Sequence, residues 1–201
     1  LSRWPARIAL LAILLALTAR SSQAQRSTER YDDTFRKYSK RFFGPAFDWR
    51  IFKAQGLTES RLDPTAKSHV GAVGVMQLMP STFREIQSRN PDWSSIDDVE
   101  WNIAAGIYYN RRLWRLWSDS VNTGDHRAFM FGSYNAGRVP ILRAQGIARG
   151  RTLDPKSWTS VETVAPEVRG WRHGETLEYV RRIRGYHDRL DARGRLLRSR
   201  E

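Results

Sequence analysis

Aromatic side chains at helical spacing restrict the fold of this chain more than any other feature. Tyr31, Phe35, Tyr38 and Phe42 fall at i, i+4, i+7 and i+11, so a helix over residues 31–43 carries all four on one side. The pattern returns from Asp98 onward, where Ile103, Ile107, Asn110, Trp114 and Trp117 share a face. It returns again over 174–190 with Tyr179, Ile183, Tyr186 and Leu190. Stripes this apolar must cover one another, which predicts a mostly helical domain with an aromatic core. Between them the chain is punctuated. Gly44-Pro45 ends the first helix, and Asp48 is placed to cap a second that runs to about Glu59. Asp63-Pro64 forces a turn, and residues 65–79 (TAKSHVGAVGVMQLM) read as loop or short extended structure. Thr82 and Glu85 form a capping-box pattern at the start of a helix through about Gln87. A turn at Asn122–Asp125 precedes a helix closed at Gly137, and a shorter one begins near Val139. The Pro- and Gly-spaced 150s and 160s read as irregular.

The N-terminus speaks to location. Arg3 and Arg7 precede an apolar run from Ile8 to Ala19, too short for a membrane span and suited to the centre of an export signal. Ser22-Gln23-Ala24 offers a small-x-small cleavage site, so residues 1–24 are expected to be a signal peptide, with an uncleaved anchor as the alternative. Residues 25–44 follow as a polar spacer and N-terminal helix, and 191–201 as a basic, solvated C-terminal tail. Losing residues 1–24 removes three arginines and no acid, taking the net charge from +13 to +10. An exported protein this basic is expected to meet anionic envelope polymers or a membrane surface rather than nucleic acid.

With no cysteine, thiolate metal sites and disulfides are excluded. The four histidines, 69, 126, 173 and 187, make no metal-ligand spacing. Gly71 and Gly74 lack the strand–turn–helix setting of a phosphate loop. What remains is acid–base chemistry by a carboxylate, and no metal or cofactor is expected. In GLTES, Phe52, Gly56 and Glu59 lie along one helix face, so the Glu59 carboxylate projects from the same side as an aromatic ring. Gly56 leaves room beside it. If partly desolvated, Glu59 would hold a proton near neutrality and act as a general acid. Read by itself, a lone Glu there is far more often an ordinary solvated helix end.

Four stretches, in order, change the weighing: Glu59-Ser60, Gly74-Val75-Met76-Gln77, Ser133-Tyr134-Asn135-Ala136-Gly137 and Glu175-Thr176-Leu177-Glu178-Tyr179-Val180. Together they resemble the ordered motifs of the lytic transglycosylases. Tyr31-Asp32-Asp33 leading into Phe47-Asp48-Trp49-Arg50 is similar to the catalytic module of the membrane-bound F type. Val75 and Ser133 stand where that family usually has Leu and Ala. The resemblance covers about residues 31–190 and implies a mainly α, lysozyme-like fold of the goose-type lysozyme superfamily over 45–190, with little or no β-sheet.

It further implies an enzyme, a monomer of the periplasm or cell envelope, that cleaves the β-1,4 bond between N-acetylmuramic acid and N-acetylglucosamine in peptidoglycan. Glu59 matches the single catalytic acid, which then acts as base while the sugar's 6-hydroxyl closes a 1,6-anhydro end. Ser68, Met76, Gln77, Tyr134, Asn135 and Glu175 match the family's substrate-binding positions. Against these stand plainer roles: a turn serine for Ser68, loop support for Gln77, core and helix-end roles for Tyr134 and Asn135, a helix-start acid for Glu175. Tyr179 reads as packing. The rival functions are a hydrolytic muramidase on the same fold and a non-catalytic wall-binding protein.

Overall fold

The computed structural model describes residues 29–197; the expected export segment and the start of the spacer lie outside them. Among the described residues eight α-helices form: α1 (Asp32–Phe43), α2 (Arg50–Ser60), α3 (Pro80–Gln87), α4 (Val99–Trp117), α5 (His126–Ala136), α6 (Arg138–Gly150), α7 (Trp158–Val164) and α8 (His173–Asp188). No sheet forms there; strand-type pairing is confined to isolated antiparallel bridges, two of them in the 65–79 loop (Lys67 with Val73, Val73 with Leu78). The described fold is mainly α, as the helical stripes predict.

The stripes do what their spacing requires. Phe35 and Tyr38 of α1 are buried, and Tyr38, Phe42, Trp93, Trp101 and Tyr108 stack edge-on and face-on between α1 and α4. The helix α2 is different in kind. Every residue from Ile51 to Thr58 is buried, so it has no solvated face and runs through the centre of the molecule. It packs along α8 and against α1, while α5 joins α4, α8 and α6. At its start, Asp48 accepts from the Arg50 N–H and guanidinium and lies 2.8 Å from His187 Nε2, fixing one end of the α2–α8 pair. Arg61 and Leu62 then take left-handed backbone conformations that stop the helix and turn the chain into the loop.

Three local expectations are corrected. The α3 helix begins at Pro80, with Thr82 inside it and no side-chain cap. Proline's fixed φ and missing N–H suit the first helical position, and that preference overrides the capping-box pattern. Glu85 instead pairs with Arg112 at 2.7 Å. Residues 158–164, read as irregular, form α7, whose Trp158, Val161 and Val164 are buried. The stretch 191–197 is no free tail: Lys53 Nζ donates to the Gly194 carbonyl, and Leu190 bridges to Leu196. No helix of the described residues is long and apolar enough to cross a membrane.

Candidate active site

The last turn of α2 carries Glu59 out of the core. Ser60, next to it, donates its hydroxyl to the Val75 carbonyl at 2.9 Å and so ties the helix end to the 65–79 loop. The space left by Gly56 is occupied by the protein itself: a Cβ there would meet Leu62, Phe35 and Val75 at 2.9–3.3 Å. Gly56 therefore lets the loop close on α2 rather than admitting a substrate.

Glu59 Oε1 accepts a hydrogen bond from the Tyr179 hydroxyl at 2.5 Å. Burial of the carboxyl outweighs that bond and the attraction of Arg182, pushing the pKa up to about 7. Tyr134 and Tyr179 are pushed the opposite way from ionisation, well above the usual phenol range, first by burial and then by the Glu59 charge. Among the described residues no second carboxylate acts on Glu59. The arrangement is a lone acid that can give up and take back a proton near neutrality.

The 65–79 loop is held at both ends of its turn. Asn102 of α4 accepts from the Met76 N–H at 2.8 Å and donates to the Val73 and Ile96 carbonyls at 3.0 Å. Gly74 has φ +78, and a Cβ on it would collide with the Asn102 amide. The Tyr134 hydroxyl donates to the Met76 carbonyl at 2.9 Å, which brings α5 onto the loop beside Glu59. Met76 is fully buried, its side chain against Gly106 and its N–H and carbonyl both bonded within the protein, so the substrate contact expected of it is corrected to a role in holding the loop. Gln77, with φ +45, donates to the Ala66 and Gly74 carbonyls and keeps its own carbonyl to accept. Ser68 accepts from the Ala72 N–H at 2.9 Å, a bond that does not use its hydroxyl hydrogen.

Asn135 and Glu175 belong to a second, adjoining group. Thr176 donates to Asn135 Oδ1 at 2.9 Å and accepts from Trp171 Nε1 at 3.0 Å. Asn135, Pro140, Trp171, Arg172 and Glu175 line a cavity of about 250 Å³, where exposed Glu175 pairs with Arg172 at 3.0 Å. Thus Glu59, Met76, Gln77 and Tyr134 are drawn together around the loop, with Asn135 and Glu175 one step along α5 and α8. Among the described residues no group of three or more His, Asp or Glu side chains is placed to hold a metal ion.

Tyr179, read from sequence as packing, is the side chain bonded to the acid. Gln55 and Asn110 stand behind it, and the sequence assigns neither a role at the site. Asn110 did give a signal: it is the one polar residue of the apolar stripe on α4. Asn102 gave none.

The transglycosylase SLT domain profile matches residues 37–154, a range that takes in Glu59, the 65–79 loop and Tyr134-Asn135 and ends before Glu175 and Tyr179. Membrane-bound lytic murein transglycosylase F of Desulfosudis oleivorans is 34% identical over 155 residues, covering 72% of this chain and 33% of that protein. The protein of that name from Vibrio cholerae is 30% identical over 172 residues, covering 80% of this chain and 31% of its own length. The chain thus spans about a third of the length of the curated relatives it matches. Among solved structures, the 70 kDa soluble lytic transglycosylase of Escherichia coli superposes with a TM-score of 0.62 at 26% identity, over 78% of this chain and 23% of that one. A complex of the 70 kDa soluble lytic transglycosylase with bulgecin A gives 0.58 at 26% identity, over 84% of this chain and 26% of that one.

Proposed function

This chain belongs to the transglycosylase SLT family, and on that premise we propose that it is a peptidoglycan lytic transglycosylase of the cell envelope. It cleaves the bond between N-acetylmuramic acid and N-acetylglucosamine and leaves 1,6-anhydromuramic acid ends. The observation that carries this reading is Glu59: a carboxyl held near pKa 7 by burial, with no second carboxylate acting on it. Glycosidases that work through water or a covalent intermediate commonly use two carboxylates. In the proposed reaction Glu59 serves twice, as acid and then as base.

In the first step Glu59 gives its proton to the glycosidic oxygen as the bond to the anomeric carbon breaks. The muramic acid acetamido group stabilises the oxocarbenium-like centre, and the Ser68 hydroxyl holds that group. In the second step the sugar's own 6-hydroxyl attacks the anomeric carbon, and the Glu59 carboxylate takes its proton. No water is consumed, and Glu59 ends protonated as it began. A captive hydroxyl, well oriented, outcompetes a diffusing water by its effective concentration. The amides of Gln77 and Asn135 offer hydrogen bonds along the strand, with Met76 and Tyr134 fixing the loop and Glu175 at the far end. The basic surface of the chain suits an anionic polymer.

Digestion of purified peptidoglycan followed by mass analysis of the muropeptides tests the reading. Anhydro ends are expected from the wild-type protein, with at least about a thousandfold loss in Glu59→Gln. Products heavier by one water would make it a hydrolase instead. Bulgecin A, the ligand in the relative's complex, is expected to bind this chain as well.

A further inference from the structure

Behind Glu59 runs a buried chain of side-chain hydrogen bonds that the reaction as written does not use. The Tyr179 hydroxyl donates to Glu59 Oε1 at 2.5 Å, and Gln55 Nε2 donates to the Tyr179 oxygen at 3.0 Å. Asn110 Nδ2 donates to Gln55 Oε1 at 2.7 Å and to the Gly106 carbonyl at 3.0 Å. Gln55 and Asn110 are wholly buried, on α2 and α4, and the chain reaches Glu59 through α8.

Each link fixes the direction of the next. A backbone carbonyl can only accept, so Asn110 must turn its nitrogen to Gly106, and the two N–H groups of that nitrogen serve Gly106 and Gln55. Gln55 must then present its oxygen to Asn110 and its nitrogen to Tyr179. Among the described residues the Tyr179 hydroxyl bonds only to Gln55 and Glu59; with an N–H already on its oxygen, its hydrogen goes to Glu59. A proton on Oε1 would meet that hydrogen head-on.

We propose that Gln55 and Asn110 are positioning residues for the reaction: anchored on the Gly106 carbonyl, they hold Tyr179 as a donor to Oε1 of Glu59 and so confine the transferable proton to Oε2. The proposal rests on the transglycosylase reading of Glu59. It gives both steps of that reaction the same oxygen, since the proton leaves from Oε2 and returns to it while Oε1 stays bonded to Tyr179. A purely structural stitch between α2, α4 and α8 would be met as well by apolar side chains. It would also avoid the buried Oδ1 of Asn110, which has no hydrogen-bond partner among the described residues.

The groups facing Glu59 are Tyr179 and Arg182 from α8 and Tyr134 from α5, with Tyr109 of α4 against Tyr134. Tyr179 and Arg182 both favour the ionised acid, so weakening the Tyr179 donor raises the pH at which Glu59 ionises.

Gln55→Met keeps the side-chain length and removes the N–H. The proposal expects the upper limb of its pH–rate profile on soluble glycan strands to move alkaline by about half a pH unit. The maximal rate should fall about tenfold with KM unchanged. Tyr179→Phe should shift further, and adding Gln55→Met to it should shift no more. In parallel, carbon-13 NMR titration of Glu59 without substrate should show the same displacement in Gln55→Met and in Asn110→Leu, either of which suffices if the other fails to fold. An unmoved Glu59 titration in the folded variant, or a Gln55→Met shift undiminished in Tyr179→Phe, overturns the proposal. Wild-type protein that makes no anhydro ends overturns the underlying reading instead, and the substrate-free titration keeps the two failures apart.

Discussion

Glu59 is a carboxyl that the folded chain prefers to keep neutral, and this has a cost measurable without any substrate. In the unfolded chain it ionises near 4.5; in the fold, burial moves that to about 7. Below 4.5 both states hold the proton and nothing is lost. Between 4.5 and 7 the unfolded state releases its proton first, so stability drains away as pH rises, and above 7 the whole penalty is present. Glu59→Gln has no charge to bury and still accepts from Tyr179. It is therefore expected to melt higher than the wild-type protein at pH 8, by on the order of 2 kcal/mol in unfolding free energy. The two should melt together at pH 4. Calorimetric melts at the two pH values check this; a gap of equal size at both would place its origin elsewhere than ionisation. The same residue thus trades stability for a proton available at neutrality, as acids recruited for catalysis do.

The 65–79 loop shows how one element positions that acid's surroundings, and also where sequence stops being legible. Its shape is imposed from α4: Asn102 serves Met76, Val73 and Ile96 at once. Asn102→Ala would leave the Met76 N–H and the Val73 and Ile96 carbonyls without it, at about 2–4 kcal/mol in urea unfolding. Cleavage should fall with the loop, but the pH profile should stay where it is, since Asn102 does not touch Glu59. Helical spacing exposed α1, α4 and α8, because long apolar stripes have one geometric solution. It missed α7, which at seven residues between Pro155 and Pro166 is too short to show a period. The ordered motifs brought Glu59, the loop and Tyr134 to attention together. What they could not supply was the partnership across distant helices. Tyr179 and Glu59 are 120 positions apart, and a tyrosine at helical spacing looks the same whether it packs or donates. Asn110 was visible as a polar interruption of an apolar face, the kind of position that must find a partner when buried. Its partner was not visible, because Gln55 sits on another helix.

The described chain closes on itself around Lys53. This side chain is fully buried, lies 2.5 Å from Asp32 at the start of α1, and donates at 2.5 Å to the carbonyl of Gly194 beyond α8. Arg36 of α1 adds a bond to the Arg193 carbonyl and lies over Trp49. Gly194 has φ +82, and a Cβ on it would overlap the Trp49 ring. The segment expected to trail into solvent is thus the third side of a buried ion pair that also holds α1 against the central α2. Burial pushes Asp32 up and Lys53 down, each toward its neutral form, so the pair must offset its own desolvation by mutual attraction. Removing one partner strands the other. Lys53→Met is expected to cost about 3–5 kcal/mol in urea unfolding, and Asp32→Leu in the same chain is expected to recover most of that loss. Equal additive losses would mean that the two charges do not act on each other. Because Lys53 and Glu59 share α2, the single variant should also reduce peptidoglycan cleavage through misplacement of the helix, and the paired variant should restore it. If the paired variant regains stability but not cleavage, the charge on Lys53 is needed for more than holding the chain closed.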